Sequence, residues 1–116
     1  MEPVKMNFDM YQQEALRTAG KQETESLSLC MAAMGLAGEA GETCDLVKKI
    51  VFHGHPMDRE KVKKEIGDVL WYAAVLAERC GWTLSEIAEA NVAKLRARYP
   101  AGFDANLSQN RKAGDV

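Results

Sequence analysis

The stretch LSLCMAAMGLAGEAGETCDLVKKIVF, residues 27–52, carries the fold in its spacing. Leu29, Ala33, Leu36, Ala40, Val47 and Ile50 or Val51 recur at three- and four-residue steps, which align on one face of a helix. The spacing predicts one long helix from Ser26 or Leu27 to Phe52. Gly35, Gly38 and Gly41 fall inside it, and each weakens a helix interior by about 1 kcal/mol relative to alanine. A sequence tolerates that cost where another helix, or a ligand lying against the carboxylates, must approach the backbone closely. HGHPM (53–57) ends the helix with Gly54 and Pro56.

The next helix, capped by Asp58 and reaching Arg79 or Cys80, carries the apolar stripe Val62, Ile66, Val69, Leu70, Ala73, Leu76 and Ala77. Gly81 closes it in the usual C-terminal manner. Glu65, Asp68 and Tyr72 form a strip along the edge of that stripe, a placement that suits a cleft. Glu39 and Glu42 stand three residues apart, and Glu65 and Asp68 repeat the spacing after a gap spanning residues 43 to 64. If the two helices pack antiparallel, four carboxylates converge. Like charges held so close repel strongly unless cations sit among them.

Surface carboxylates on helices usually alternate with Lys or Arg three or four residues away. Glu65 has Lys61 and Asp68 has Lys64, so solvation is an ordinary reading for that pair. Glu39 and Glu42 have no base at those spacings on their N-terminal side. Oxygen ligands without His or Cys favour a hard cation, Mg²⁺ or Mn²⁺, whose open positions suit phosphate oxygens. A di-iron bundle would instead require Glu-x-x-His on two helices, and neither histidine falls on a predicted helix.

Outward from these two helices, a first helix is expected from Asp9, as N-cap, to Ala19, and the polar run KQETES (21–26) follows it. Thr83-Leu84-Ser85-Glu86 matches a capping box that opens a fourth helix, stopped by Pro100. The fold class is therefore all-α, a bundle of two long central helices with two shorter ones. Residues 1–103 are expected to form the domain, and residues 104–116 a loosely ordered tail. The 116 residues suit one domain, with 47% hydrophobic content. Trp71, Val75 and Leu46 or Ile50 widen the apolar faces beyond what one partner helix covers, which predicts a homo-oligomer.

Fifteen basic against 17 acidic residues give a formal charge of −2 and no basic cluster for nucleic acid. No apolar run approaches the roughly 20 residues that span a bilayer, and no signal-peptide core opens the chain. A cytoplasmic protein without nucleic-acid or membrane partners is the expectation. Cys30, Cys44 and Cys80 lie within apolar patterns and are expected to be buried, reduced thiols. Met31 and Met34 read as core positions, and His53 and His55 as a solvated turn. Lys48 and Lys49 suit either a phosphate or a solvated helix end favoured by the dipole. Asn91, Lys94 and Arg98, at steps of three and four, share a face that is either solvated or turned to phosphate.

GLAGEAGE (35–42), KKEIGDVLWYAAVLAE (63–78) and NVAKLRARYP (91–100) together resemble the MazG-like nucleoside triphosphate pyrophosphohydrolases, relatives of the dimeric dUTPases. The resemblance extends over residues 10–103. It implies a four-helix MazG-like bundle that works as an intertwined homodimer or dimer of dimers. It also implies Mg²⁺- or Mn²⁺-dependent hydrolysis of a nucleoside triphosphate, most naturally a dNTP, to the monophosphate and pyrophosphate, for nucleotide-pool control. Water would attack at the α-phosphate. By the same resemblance Glu39, Glu42, Glu65 and Asp68 hold the metal, and Lys49, Tyr72, Asn91, Lys94 and Arg98 contact phosphates or sugar. Some relatives carry a further Glu just before the first motif glutamate as general base. Here that place is Gly38, so Glu39 or Glu42 takes the role, or the metals alone activate the water. The base pocket is expected near Tyr11, Glu14, Met31 and Met34. A non-catalytic nucleotide- or metal-binding helical module is the alternative.

Overall fold

The computed structural model describes residues 2–116, and its regular structure is helical, with no strand among the described residues. Five helices follow in order: α1 (Phe8–Leu16), α2 (Glu25–Phe52), α3 (Arg59–Arg79), α4 (Leu84–Arg98) and the short α5 (Ala105–Gln109). The all-α expectation holds, with one helix more than the four expected. The chain forms two compact units, one ending at Leu84 and the other running from Ser85 to Val116. Among the described residues, no helix is long and apolar enough to cross a membrane.

Helix starts follow side-chain chemistry. Thr24 caps α2 by accepting a hydrogen bond from the Leu27 N–H, and Asp58 caps α3 through the Lys61 N–H. At α1 the cap is Asn7, which accepts from the Met10 N–H, and not Asp9; the helix also stops at Leu16, short of Ala19. Asn7 offers an equivalent side-chain acceptor oxygen two residues earlier, so Asp9 falls in the first turn, where its charge favours the helix dipole. Gly81 leaves α3 at φ +83°, a left-handed conformation that a side chain would strain.

In the first unit, α2 and α3 make the most extensive helix–helix contact, and α1 packs on α3. Gly35 meets Tyr72, while Glu39 meets Glu65, so position advances along α2 as it falls along α3. The pair is therefore antiparallel. The buried apolar side chains are small: Ala15, Ala32, Ala74, Val75 and Ala77, with Leu84 the largest. Alanines let the backbones of α1 and α3 approach closely and leave little bulk in the interior. Gln12, only 3% exposed, ties this region together. Its amide nitrogen donates to the carbonyls of Ala74 and Trp82, 3.1 Å each, and its amide oxygen accepts from the Leu84 N–H at 3.1 Å. One side chain thus satisfies three backbone groups around the end of α3, where α3 gives way to α4.

Several positions expected inside are outside. Cys30, Cys44 and Cys80 are exposed free thiols and not buried ones. Met31 and Met34 are exposed, Met34 to 73%. Ile66 leaves the apolar stripe of α3 for solvent. The reason lies in the number of partners. A helix as long as α2 has an apolar band wider than α3 alone covers, so part of the band stays open.

In the second unit, residues 104–116 were expected to be loosely ordered. They carry α5, capped by Asp104 on the Asn106 and Leu107 N–H groups, and then return Asp115 to Arg98. Tyr99 and Phe103 meet with tilted rings, 5.4 Å between centroids and 52° between planes, around a turn that Gly102 makes at φ +96°.

Candidate metal centre

The two acidic pairs come from the helices that the sequence marks for antiparallel packing. One carboxylate oxygen from each of Glu39, Glu42 and Glu65 lies within 4.8 Å of the other two. Asp68, the fourth expected ligand, falls outside that tight group, yet its charge bears on Glu39 and on the Tyr11 hydroxyl. Glu39 and Glu65 are half-buried, and Glu42 and Asp68 are exposed. The cluster thus sits at the rim of the α2–α3 contact, with one side open.

Two oxygens in this cluster, Oε2 of Glu39 and Oε2 of Glu65, are buried without a hydrogen-bond partner. A buried carboxylate oxygen with no donor is costly. The Glu39 carboxyl is correspondingly held above the usual carboxylate range. Burial is the first cause, followed by the negative charges of Glu42, Asp68 and Glu65. Hard oxygen donors, a local excess of negative charge and unmatched buried lone pairs all fit a divalent cation. The residues present therefore suit the ion that the sequence pattern calls for.

One turn farther along α2 the arrangement reverses. Asp45 is clasped by Lys48 at 3.0 Å and Lys49 at 2.8 Å, which hold its carboxyl down at about 2. Lys49, expected to contact phosphate, is thus engaged by its own helix in this structure. Tyr72, also expected at the substrate, lies across Gly35, where an added methyl would stand inside its ring. Its ring meets Trp71 edge-on, 4.9 Å between centroids and 86° between planes. Close approach explains Gly35 alone; Gly38 and Gly41 face open space.

Beside Tyr72 opens a cavity of about 220 Å³ with walls from Met31, Ala32, Trp71, Tyr72 and Val75, and polar groups from Thr18, Gln22 and Ser28. Trp71 donates to the Thr18 hydroxyl at 3.0 Å, and Ser28 to Gln22 at 3.2 Å. Of the residues expected around a base, Met31 lines this cavity; Tyr11, Glu14 and Met34 do not. Trp71, Thr18, Gln22 and Ser28 had not been expected at a site. The sequence signal for Trp71 was its place beside Tyr72 on α3. Gln22 and Ser28 gave none, because a polar run before a helix reads as solvent-facing.

In the second unit, Asn91 and Lys94 are exposed on α4. Arg98 is turned inward and pairs with Asp115, so the three do not share one environment.

An antiparallel helical pair that gathers carboxylates from both strands of the pattern defines a class of helical, acidic-centred domain. The MazG nucleotide pyrophosphohydrolase domain model matches residues 27–103, and the chain belongs to that family. It is also similar to the gene 37 protein of Mycobacterium phage L5, 36% identical over 114 residues that cover 91% of this chain and all of the relative. No solved structure matches significantly.

Proposed function

We propose that this chain hydrolyses a nucleoside triphosphate, a dNTP in the first instance, to the monophosphate and pyrophosphate, and so shapes a nucleotide pool. Membership of the family gives the reaction class. The observation that carries the reading to these residues is the meeting of Glu39, Glu42 and Glu65 with two buried oxygens lacking partners.

Glu39, Glu42 and Glu65 would hold a divalent cation, Mg²⁺ or Mn²⁺, with Asp68 as the fourth carboxylate. When bound, such an ion supplies Lewis-acid stabilisation of phosphate oxygens and makes a nearby water more acidic. The chain's own groups do the rest. Glu39 or Glu42 accepts the proton of the attacking water at a carboxylate oxygen. The upward displacement of Glu39 is the direction a general base needs as the working pH nears neutrality. Lys49, Asn91, Lys94 and Arg98 hold phosphate and sugar oxygens and offset charge on the departing pyrophosphate. Tyr72, fixed by Gly35 and Trp71, forms one wall against the nucleoside. The cavity beside it suits the base: aromatic and aliphatic walls for stacking, with Gln22 and Ser28 to read an edge by hydrogen bonds.

The same reading includes a second copy of the chain. Leu27, Met31, Met34, Val47, Val51 and Phe52 are all exposed along one helix, Phe52 to 78%. Apolar surface of that extent left to water, on more than one side of the helix, is characteristic of a surface covered by a partner. A homodimer or dimer of dimers would cover it.

The test is a chromatographic assay of a full dNTP and NTP panel with Mg²⁺ or Mn²⁺. Monophosphate and pyrophosphate in equal amounts support the reading. Stepwise loss of single phosphates overturns it in favour of another hydrolase. Binding without any product leaves the non-catalytic nucleotide- or metal-binding module. Sedimentation of the purified chain tests the assembly, and a monomer at micromolar concentration would refute that part.

A further inference from the structure

Arg98 ends α4, and its side chain is only 9% exposed. It donates two parallel hydrogen bonds to Asp115, Nε to Oδ2 at 2.9 Å and Nη2 to Oδ1 at 2.7 Å. The Asp115 side chain is itself 20% exposed. This is the planar, two-pronged geometry by which guanidinium groups take carboxylates and phosphates alike. The backbone is shaped to deliver it. Gly114 turns at φ +83°, and the Asp115 N–H donates to the Lys112 carbonyl at 3.1 Å, folding the chain end back. Arg98 and Asp115 also border a cavity of about 320 Å³ whose lining includes Arg111 and Lys112. Lys94 and Arg111 add their positive fields at the Asp115 carboxylate. The C-terminal segment thus presents one anionic group to a cationic pocket within its own unit.

We propose that Asp115 is a built-in, displaceable occupant of the Arg98 guanidinium, and that the phosphate chain of the substrate must dislodge it to engage Arg98. The idea rests on the reading of Arg98 as a phosphate contact given above. The two oxygens of Asp115 fill the same prongs that two phosphate oxygens would fill, so the two occupants exclude each other. Binding then draws on a fraction of molecules with the clasp open, and apparent affinity falls by that fraction. Substrate arrival and release of residues 111–116 become a single event.

The experiment uses the full chain and inorganic tripolyphosphate with Mg²⁺ as the probe, by calorimetry, alongside hydrogen exchange of residues 111–116. Asp115→Asn keeps the shape and removes the charge. It should bind the probe about tenfold more tightly than wild type, as expected where an open fraction near one tenth limits affinity. Wild type should lose exchange protection at residues 111–116 when the probe binds. Equal or weaker binding by Asp115→Asn, or protection retained with the probe bound, overturns the clasp. Arg98→Lys, which keeps charge but loses the fork, tests the underlying reading in the Asp115→Asn background, where no clasp competes, and should bind the probe more weakly than Asp115→Asn alone. Unchanged binding there means Arg98 is no phosphate contact, and it does so whatever Asp115→Asn shows. Thermal melts of both variants verify that each is folded.

Discussion

Two sets of carboxylates share helix α2 and live by opposite rules. Asp45 has a lysine on each of the next two helical contacts and sits well below its ordinary pKa. Glu39 and Glu42, at most two turns earlier, form no ion pair with a cation among the described residues. They face a third carboxylate from α3, and Glu39 is displaced upward. Sequence distance is slight, and the difference is one of pairing. A carboxylate that the chain neutralises is finished as a surface feature. A cluster that the chain leaves unneutralised, with buried oxygens lacking donors, is held at a cost that an incoming cation relieves.

The comparison breaks most visibly at its acidic end. Glu42→Gln and Asp68→Asn should each abolish Mg²⁺-dependent turnover, by on the order of a thousandfold or more, the scale of several kcal/mol of lost charge stabilisation. Circular dichroism without metal should match wild type, since both side chains are exposed, and the melting point should be equal or higher because a charge repelling Glu39 is gone. Full activity in either variant would remove that residue from the site.

Next in size are the glycines, which divide by what stands over them. Gly35→Ala drives a methyl into Tyr72 and should destabilise the fold by about 1–3 kcal/mol, the usual range for overpacking. Gly38→Ala and Gly41→Ala meet open space and should stabilise the helix by about 0.5–1 kcal/mol each. Chemical denaturation measures all three. A stabilising Gly35→Ala would mean the Tyr72 ring lies elsewhere.

Those glycines also show how far the chain could be read in advance. Periodicity gave α2 and α3 nearly to the residue, because a 3.6-residue repeat is a local property written into successive side chains. The acidic spacing called for four carboxylates to converge on antiparallel helices; Glu39, Glu42 and Glu65 meet, and Asp68 stands outside the tight group. Which glycine lay under an aromatic ring was not readable, because it depends on the axial register of two helices. Gln12 was invisible for the same reason: its three partners lie 62 to 72 residues away. Its only sequence mark was a place three residues before Ala15 on the same face. The cysteines and methionines of α2 misled because apolar spacing marks a helix surface that wants cover without saying whether the cover comes from the same chain. Asp115 sat in a polar run with nothing local to pair it with Arg98.

A smaller effect separates the two carboxylate sets by pH. A raised folded-state pKa, as at Glu39, contributes stability that is full below the ordinary value of 4.5 and lost as pH rises through the raised one. Without metal, the chain should therefore melt somewhat higher as pH falls from neutrality through the raised value toward 4.5. With metal the sign reverses, because protons compete for the same oxygens. The stabilisation by Mg²⁺, about 2.7 kcal/mol at a hundredfold excess over Kd, should shrink over that interval. Paired melts with Mg²⁺ and with chelator read both slopes, and a Mg²⁺ increment independent of pH would contradict the cluster as its seat.

Asp45 supplies the smallest effect and the cleanest control. Its folded pKa, lowered to about 2, contributes stability present above the ordinary 3.8 and lost as pH falls through about 2. Between pH 5 and 7 that contribution is constant, so Asp45→Asn should leave both the acid-side gain without metal and the Mg²⁺ increment as they are in wild type. The exposed pair is screened by salt, and its removal should barely move the midpoint at neutral pH. The change appears only in strong acid, where wild type loses the clasp by protonation and the variant has none to lose. Should Asp45→Asn flatten the Mg²⁺ response instead, the division along α2 fails, and the lysines and the acidic cluster form one electrostatic unit.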